Sequence, residues 1–114
     1  SYTGYCCSPE YMQENPEVIK AFTNAIFKAE KWVKTHSAEE IAEVILPYFV
    51  SCSKEVLVNS LENYLSCGVW CEDPAFQENE FELLEKIMMQ AGELEEKVAF
   101  NEVIENKFAL CAEG

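Results

Sequence analysis

Six cysteines in a chain of 114 residues are its most reactive side chains: Cys6, Cys7, Cys52, Cys67, Cys71 and Cys111. Thiolates bind soft metals, build iron–sulfur clusters or pair as disulfides, and each use imposes a spacing. Cys67 and Cys71 stand four apart, the paired C-x-x-C signature of a zinc site is absent, and His36 is the only histidine. A zinc ion would need its third and fourth ligands from distant positions, and no compact run of cysteines exists for a cluster. No metal site and no cofactor is expected. Disulfide connectivity stays open, although Cys6 bonded to its neighbour Cys7 would close a strained ring. The preferred reading makes most of the six small buried hydrophobes.

Acid–base and nucleophilic chemistry fare no better. His36 falls at the joint between two helices, where an exposed linker residue is expected, and no residue pattern supplies it with a partner. The chain has no G-x-S-x-G, no P-loop and no H-E-x-x-H. Glu39, Glu40, Glu43, Glu93, Glu95 and Glu96 take positions that face solvent, while Glu30 with Lys34 and Glu82 with Lys86 are spaced for helix-surface ion pairs. The sequence therefore predicts no enzyme. Aromatic residues suggest binding instead: Tyr2, Tyr5, Tyr11, Tyr48, Tyr64, Trp32 and Trp70 could line a pocket for a small organic ligand. Most are expected to serve packing. Tyr2 and Tyr5 differ because they flank Thr3 and Gly4 in a non-helical stretch, where side chains can face a cleft.

Charge excludes further partners. Eight lysines stand against 21 acidic residues, a formal net charge of −13, and there is no arginine. Such a field repels nucleic acid and anionic membrane surfaces. The hydrophobic content of 49% is that of a folded chain rather than a disordered one, and the length suits a single domain with a modest core. No apolar run approaches a bilayer span, so neither a membrane helix nor a signal peptide is expected within these residues, and the missing signal is uninformative about what precedes Ser1. The opening residues SYTGYCC look like the interior of a domain, so the chain reads as a piece of a longer precursor.

The elements that would position these groups are helices. Residues 1–14 are read as extended or looped, with Tyr2 to Cys7 extended chain or loop and Pro9 to Gln13 at most one helical turn. A helical bundle over 15–112 follows. Asn15 as N-cap, Pro16 and Glu17 open the first long helix, whose face is Val18, Phe22, Ala25, Ile26, Ala29 and Val33. Ser37 and Glu40 form a capping box for the second, with Ala38, Ile41, Ala42 and Ile45 inward until Pro47 ends it. Ser53 caps the third, with Val56, Leu57, Leu61, Tyr64 and Leu65 inward and Gly68 as its left-handed stop. A short turn at Asp73-Pro74 precedes the fourth, from about Glu78 to Gln90, with Phe81, Leu84, Ile87, Met88 and Ala91 inward and Gly92 closing it. Lys97 to Phe100 is extended, and a fifth helix from Asn101 buries Val103, Ile104, Phe108 and Cys111. No span makes a sheet. The fold class is all-α: about five amphipathic helices joined by short loops in one domain, 1–114.

Taken in order, SPEYMQENPEVIKAF from Ser8 to Phe22, the spacing Ala25, Lys28, Ala29, Trp32, and SAEEIA from Ser37 to Ala42 resemble a known family. So do LEKIMMQAGEL, from Leu84 to Leu94, and FNEVIENKFA, from Phe100 to Ala109. The resemblance is to the C-terminal part of ABC-transporter solute-binding proteins of the nitrate, sulfonate, taurine and thiamine-precursor group, of periplasmic binding protein type 2, over about residues 8–112. It implies that the helices are a fragment of a two-lobed α/β protein. Such a protein captures a small organic or anionic solute and delivers it to an ABC permease. It also implies an extracytoplasmic location, periplasmic or lipid-anchored, and the lobes needed for capture lie outside this chain. Tyr5, Cys6 and Cys7 are carried over as ligand-binding residues, matching the place where the family's chain runs near the cleft. Six cysteines exceed what an exported member leads one to expect.

Two other readings stand beside it. A free-standing acidic helical interaction domain would use an apolar face to bind a partner. A cysteine-based metal or redox protein would show metal or oxidised thiols. A fragment and an interaction domain both expose apolar surface and can self-associate, so the native reading frame separates them.

Overall fold

A computed structural model describes residues 3–113, and among them the chain is all helical, with no strand. Seven α-helices are present: α1 (Pro9–Glu14), α2 (Pro16–Thr35), α3 (Ala38–Ile45), α4 (Lys54–Cys67), α5 (Glu78–Ala91), α6 (Phe100–Val103) and α7 (Lys107–Leu110). A 3-10 turn at Leu46–Tyr48 follows α3. The chain divides into two compact units, one of Ser1–Asn24 with Pro74–Ala112, the other of Ala25–Asp73 with Glu113–Gly114.

The unit built on Ala25–Asp73 is a helical hairpin. At the start of α3 the capping box forms as its spacing predicts: the Ser37 hydroxyl accepts the Glu40 N–H, and the Glu40 carboxylate accepts the Ser37 N–H at 2.8 Å. These bonds satisfy donors that the first turn leaves without partners. Pro47 stands in the 3-10 turn after Ile45, and Ser53 then caps α4 by accepting the Val56 N–H. The facing residues are Ala38, Ile41, Ala42, Leu57 and Leu61, all buried, with Trp32, Val33, Ile45, Leu46, Cys52 and Val58 packed round them. Ala42 is wholly inaccessible. A methyl group there lets α3 and α4 approach closely, where a longer side chain would hold them apart.

The stripe of α4 is narrower than its periodicity suggests. Leu57 and Leu61 are inward as expected, but Val56, Tyr64 and Leu65 are exposed. The buried ridge runs Leu57, Val58, Leu61, and Val56 lies one helical step, about 100°, before Leu57 on the side away from Val58. Gly68 adopts φ 61° and its N–H bonds the carbonyls of Tyr64 and Leu65, the left-handed stop its position implied.

In the other unit, Ser8 caps α1 by accepting the Tyr11 N–H at 3.1 Å, and the helix runs six residues, longer than the single turn expected. Asn15 corrects a second expectation. Its backbone N–H and its side-chain Nδ2 both donate to the Tyr11 carbonyl, at 2.9 and 3.1 Å. The side chain expected to cap α2 thus closes α1 behind it, and the Asn15 carbonyl starts α2 by accepting from Val18 and Ile19. α2, whose residues from Ala25 onward belong to the hairpin unit, carries no buried residue, and Val18, Phe22, Ala25 and Ala29 of its predicted inner face are exposed.

α5 ends at Gly92 with φ 76°, as foreseen. Its buried positions are Phe81 and Glu85, whereas Ile87, Met88 and Ala91 are exposed. Phe81 meets Phe76 and Phe100 edge to face, at ring-centroid distances of 6.3 and 5.6 Å, in the offset geometry aromatic quadrupoles favour.

The expected fifth helix is broken in two. Asn106 explains the break: its Oδ1 accepts the Phe76 N–H at 2.9 Å and its Nδ2 donates to the Phe76 carbonyl at 2.8 Å, as a neighbouring strand would. The chain leaves helix at Ile104, φ −106° and ψ 126°, to place that amide. Ile104 and Phe108 are half-buried; Val103 and Cys111 are exposed, against expectation.

Candidate functional site

Thr3 to Cys7 is non-helical, as predicted, and Tyr2 lies outside the described residues. The Tyr5 ring stands edge-on to Phe22 of α2, centroids 4.8 Å apart and planes at 79°, yet the residue remains 76% exposed. Cys6 and Cys7 follow it, both exposed and free. The geometry is an aromatic ring held on one edge by a helix, with two accessible thiols beside it in the chain.

The expectation that most cysteines are buried is overturned. Cys6, Cys7, Cys67, Cys71 and Cys111 are exposed, and only Cys52 is half-buried against a core. Cys67 closes α4, Cys71 lies in the loop beyond it, and Cys111 follows α7; at these ends the side chains leave the packed face. All six are free thiols. Among the described residues, no group of three or more His, Cys, Asp or Glu is placed to hold a metal ion.

His36 is a half-buried end-piece of α2, not the exposed linker expected. Its ring stacks on Trp32 at 4.1 Å with planes 24° apart, and Nδ1 lies 2.6 Å from the Trp32 carbonyl oxygen. That contact makes Nδ1 the N–H donor and satisfies a carbonyl the helix end leaves open. The role is structural.

Glu30 also departs from its expected pairing. Lys34 bonds Glu72 at 2.9 Å, and the Glu30 Oε2 is buried without a hydrogen-bond partner. Burial, then the negative charge of Asp73, push the Glu30 carboxyl above the usual range. Glu40 moves the other way, held down chiefly by the bonds it makes with Ser37. A carboxyl whose folded pKa is raised binds its proton more tightly in the folded state, so its penalty grows as pH rises through the folded pKa and vanishes below the unfolded one. Glu30→Gln is therefore expected to unfold at higher urea concentration than the parent chain at about pH 7, and the difference is expected to close near pH 4. Urea titrations at the two pH values check this; an equal difference at both would refute the assignment.

Sequence reasoning missed Glu85. It lies one turn from Phe81 on the same face, is 5% exposed, and its Oε1 accepts the Val98 N–H at 2.7 Å. The four-residue spacing from Phe81 was the available signal. Beside it runs an open groove of about 560 Å³, lined by Phe81, Glu85, Lys97, Val98, Phe100 and Asn101. Neither this groove nor Tyr5, Cys6 and Cys7 brings a nucleophile to a base. The groove and the Tyr5 segment offer apolar and aromatic contact surface.

No protein-family model and no solved structure matches the chain. It is 33% identical over 108 residues to "Putative binding protein YtlA" of Bacillus subtilis (strain 168), a match covering 95% of this chain and 32% of that protein. The chain thus spans about a third of the length of the curated relative it matches.

Proposed function

We propose that these helices belong to the solute-binding protein of an ABC transporter, a non-catalytic module that captures a small organic or anionic solute for uptake. The observation that carries this reading is the 33% identity, sustained over 95% of the chain, to a bacterial protein named as a binding protein. The family resemblance of the closing helices points the same way. In this reading the longer protein is extracytoplasmic, periplasmic or lipid-anchored, its partner is the permease, and capture needs lobes beyond these residues. Tyr5, Cys6 and Cys7 face the solute cleft, with the edge-on contact to Phe22 fixing the Tyr5 ring.

The test is a thermal-shift titration of the protein encoded by the complete reading frame, and of the 114-residue chain, against sulfonates, pyrimidines and nitrate. A ligand that binds only the folded state raises the midpoint, by about 2.7 kcal/mol of stability at a hundred times its dissociation constant. The long protein is expected to respond to one class and the short chain to none. Silence of the long protein across the panel would sink the reading.

The alternative, a free-standing acidic helical interaction domain, draws on the exposed apolar side chains of α2 and α5. A start codon immediately before Ser1 in the reading frame would favour it.

A further inference from the structure

Among the described residues, the two most exposed large apolar side chains sit together on an ordered turn. Tyr48 is 83% exposed and Val50 94%, with Phe49 between them at 45%. They form the tip of the α3–α4 hairpin. Nothing about the tip is loose in its backbone: the Phe49 N–H bonds the Leu46 carbonyl at 3.1 Å, the Cys52 N–H bonds the Phe49 carbonyl at 2.9 Å, and Ser53 caps α4 at once. The hairpin beneath is held by Ala38, Ile41, Ala42, Leu57 and Leu61, so the tip contributes little to its own unit. A preformed knob of three consecutive apolar residues pays little ordering entropy when it docks.

We infer that this knob seats in an apolar pocket on the remainder of a longer polypeptide, of which these residues are one part. The inference rests on the reading above that the chain is a segment of a larger binding protein, and it names the contact that joins them. Two observations select this occupant. The relative is about three times the length of the match, so there is chain to supply a pocket. A net charge of −13 sets a second copy and an anionic membrane against the surface.

Hydroxyl-radical labelling of Tyr48, read by mass spectrometry without solute, tests the contact in the 114-residue chain and in the protein of the complete reading frame. Tyr48 is expected to label freely in the short chain and to be protected in the long one. The double variant Tyr48→Ser, Val50→Ser is expected to leave the short chain's Tm unchanged, because both side chains already meet water. The same variant is expected to lower the long protein's Tm by roughly 4 °C or more. Free labelling of Tyr48 in the long protein, or an unchanged Tm there, overturns the inference. So does a reading frame of only these residues. Protection that appears in the short chain with rising concentration overturns it in favour of a second copy, and protection on adding phosphatidylcholine vesicles in favour of a membrane. Because no solute is used, a long protein that shields Tyr48 yet ignores the solute panel keeps the docking contact and loses the transport reading. A solute response with Tyr48 fully labelled does the reverse.

Discussion

Replacing Ile41 by alanine is expected to cost about 2–5 kcal/mol of unfolding free energy, the range for large-to-small changes at buried aliphatic sites. Ile41 is 3% exposed and sits among Ala38, Ala42, Leu57 and Leu61, the buried residues of the hairpin core. Domains of this size hold only about 5–15 kcal/mol in all, so the variant is expected near the edge of folding at physiological temperature. Val44→Ala, on the same helix but 55% exposed, is the matched control and is expected to change stability by about 0.5 kcal/mol or less. Urea denaturation followed by circular dichroism reads both. A loss below about 1 kcal/mol for Ile41→Ala would mean that the hairpin core is not what holds this unit together.

Asn106→Ala is expected to cost about 1–3 kcal/mol, because it leaves the Phe76 N–H and carbonyl without their partners. The two bonds, 2.9 and 2.8 Å long, join residues 30 positions apart. Asn106→Asp, ionised, keeps an acceptor for the Phe76 N–H but loses the donor to the Phe76 carbonyl, so an intermediate loss is expected. Hydrogen exchange at the Phe76 amide separates the two variants: it is expected to accelerate strongly in the alanine variant and less in the aspartate. Unchanged exchange in both would show that the pairing is dispensable.

These two sites mark the limits of what could be read from residue order. Ile41 was legible because a capping box fixes where α3 starts, and a helix start fixes which residues share a face. The same logic placed Ser53, Gly68 and Gly92, whose roles depend on local backbone geometry alone. Asn106 was invisible because its function is set by Phe76, far away in sequence, and nothing in the periodicity of 101–111 announces a break. Asn15 shows the same weakness at short range: the residue could cap forwards or backwards, and its side chain went to Tyr11. The apolar faces of α2 and α5 were read as inward, yet Val18, Phe22, Ile87 and Met88 are exposed. Amphipathic spacing declares that a face seeks cover and says nothing of whether the cover lies within the same 114 residues. For Tyr5, Cys6 and Cys7 the sequence foretold a non-helical segment, and the structure places the ring on Phe22 with both thiols accessible.

One compact unit draws on Ser1–Asn24 and Pro74–Ala112, with Ala25–Asp73 forming the other between them in the chain. On the ribosome this interruption becomes a matter of time. The α3–α4 hairpin joins neighbours in sequence and can close as soon as α4 emerges, whereas Ser1–Asn24 must wait for the last helices to be made. At about 5–20 residues per second that interval is several seconds. Throughout it α1 and the first turns of α2 wait for the later helices of their unit, and Cys6 and Cys7, exposed and free in the folded unit as well, stay open to oxidants both before and after it forms.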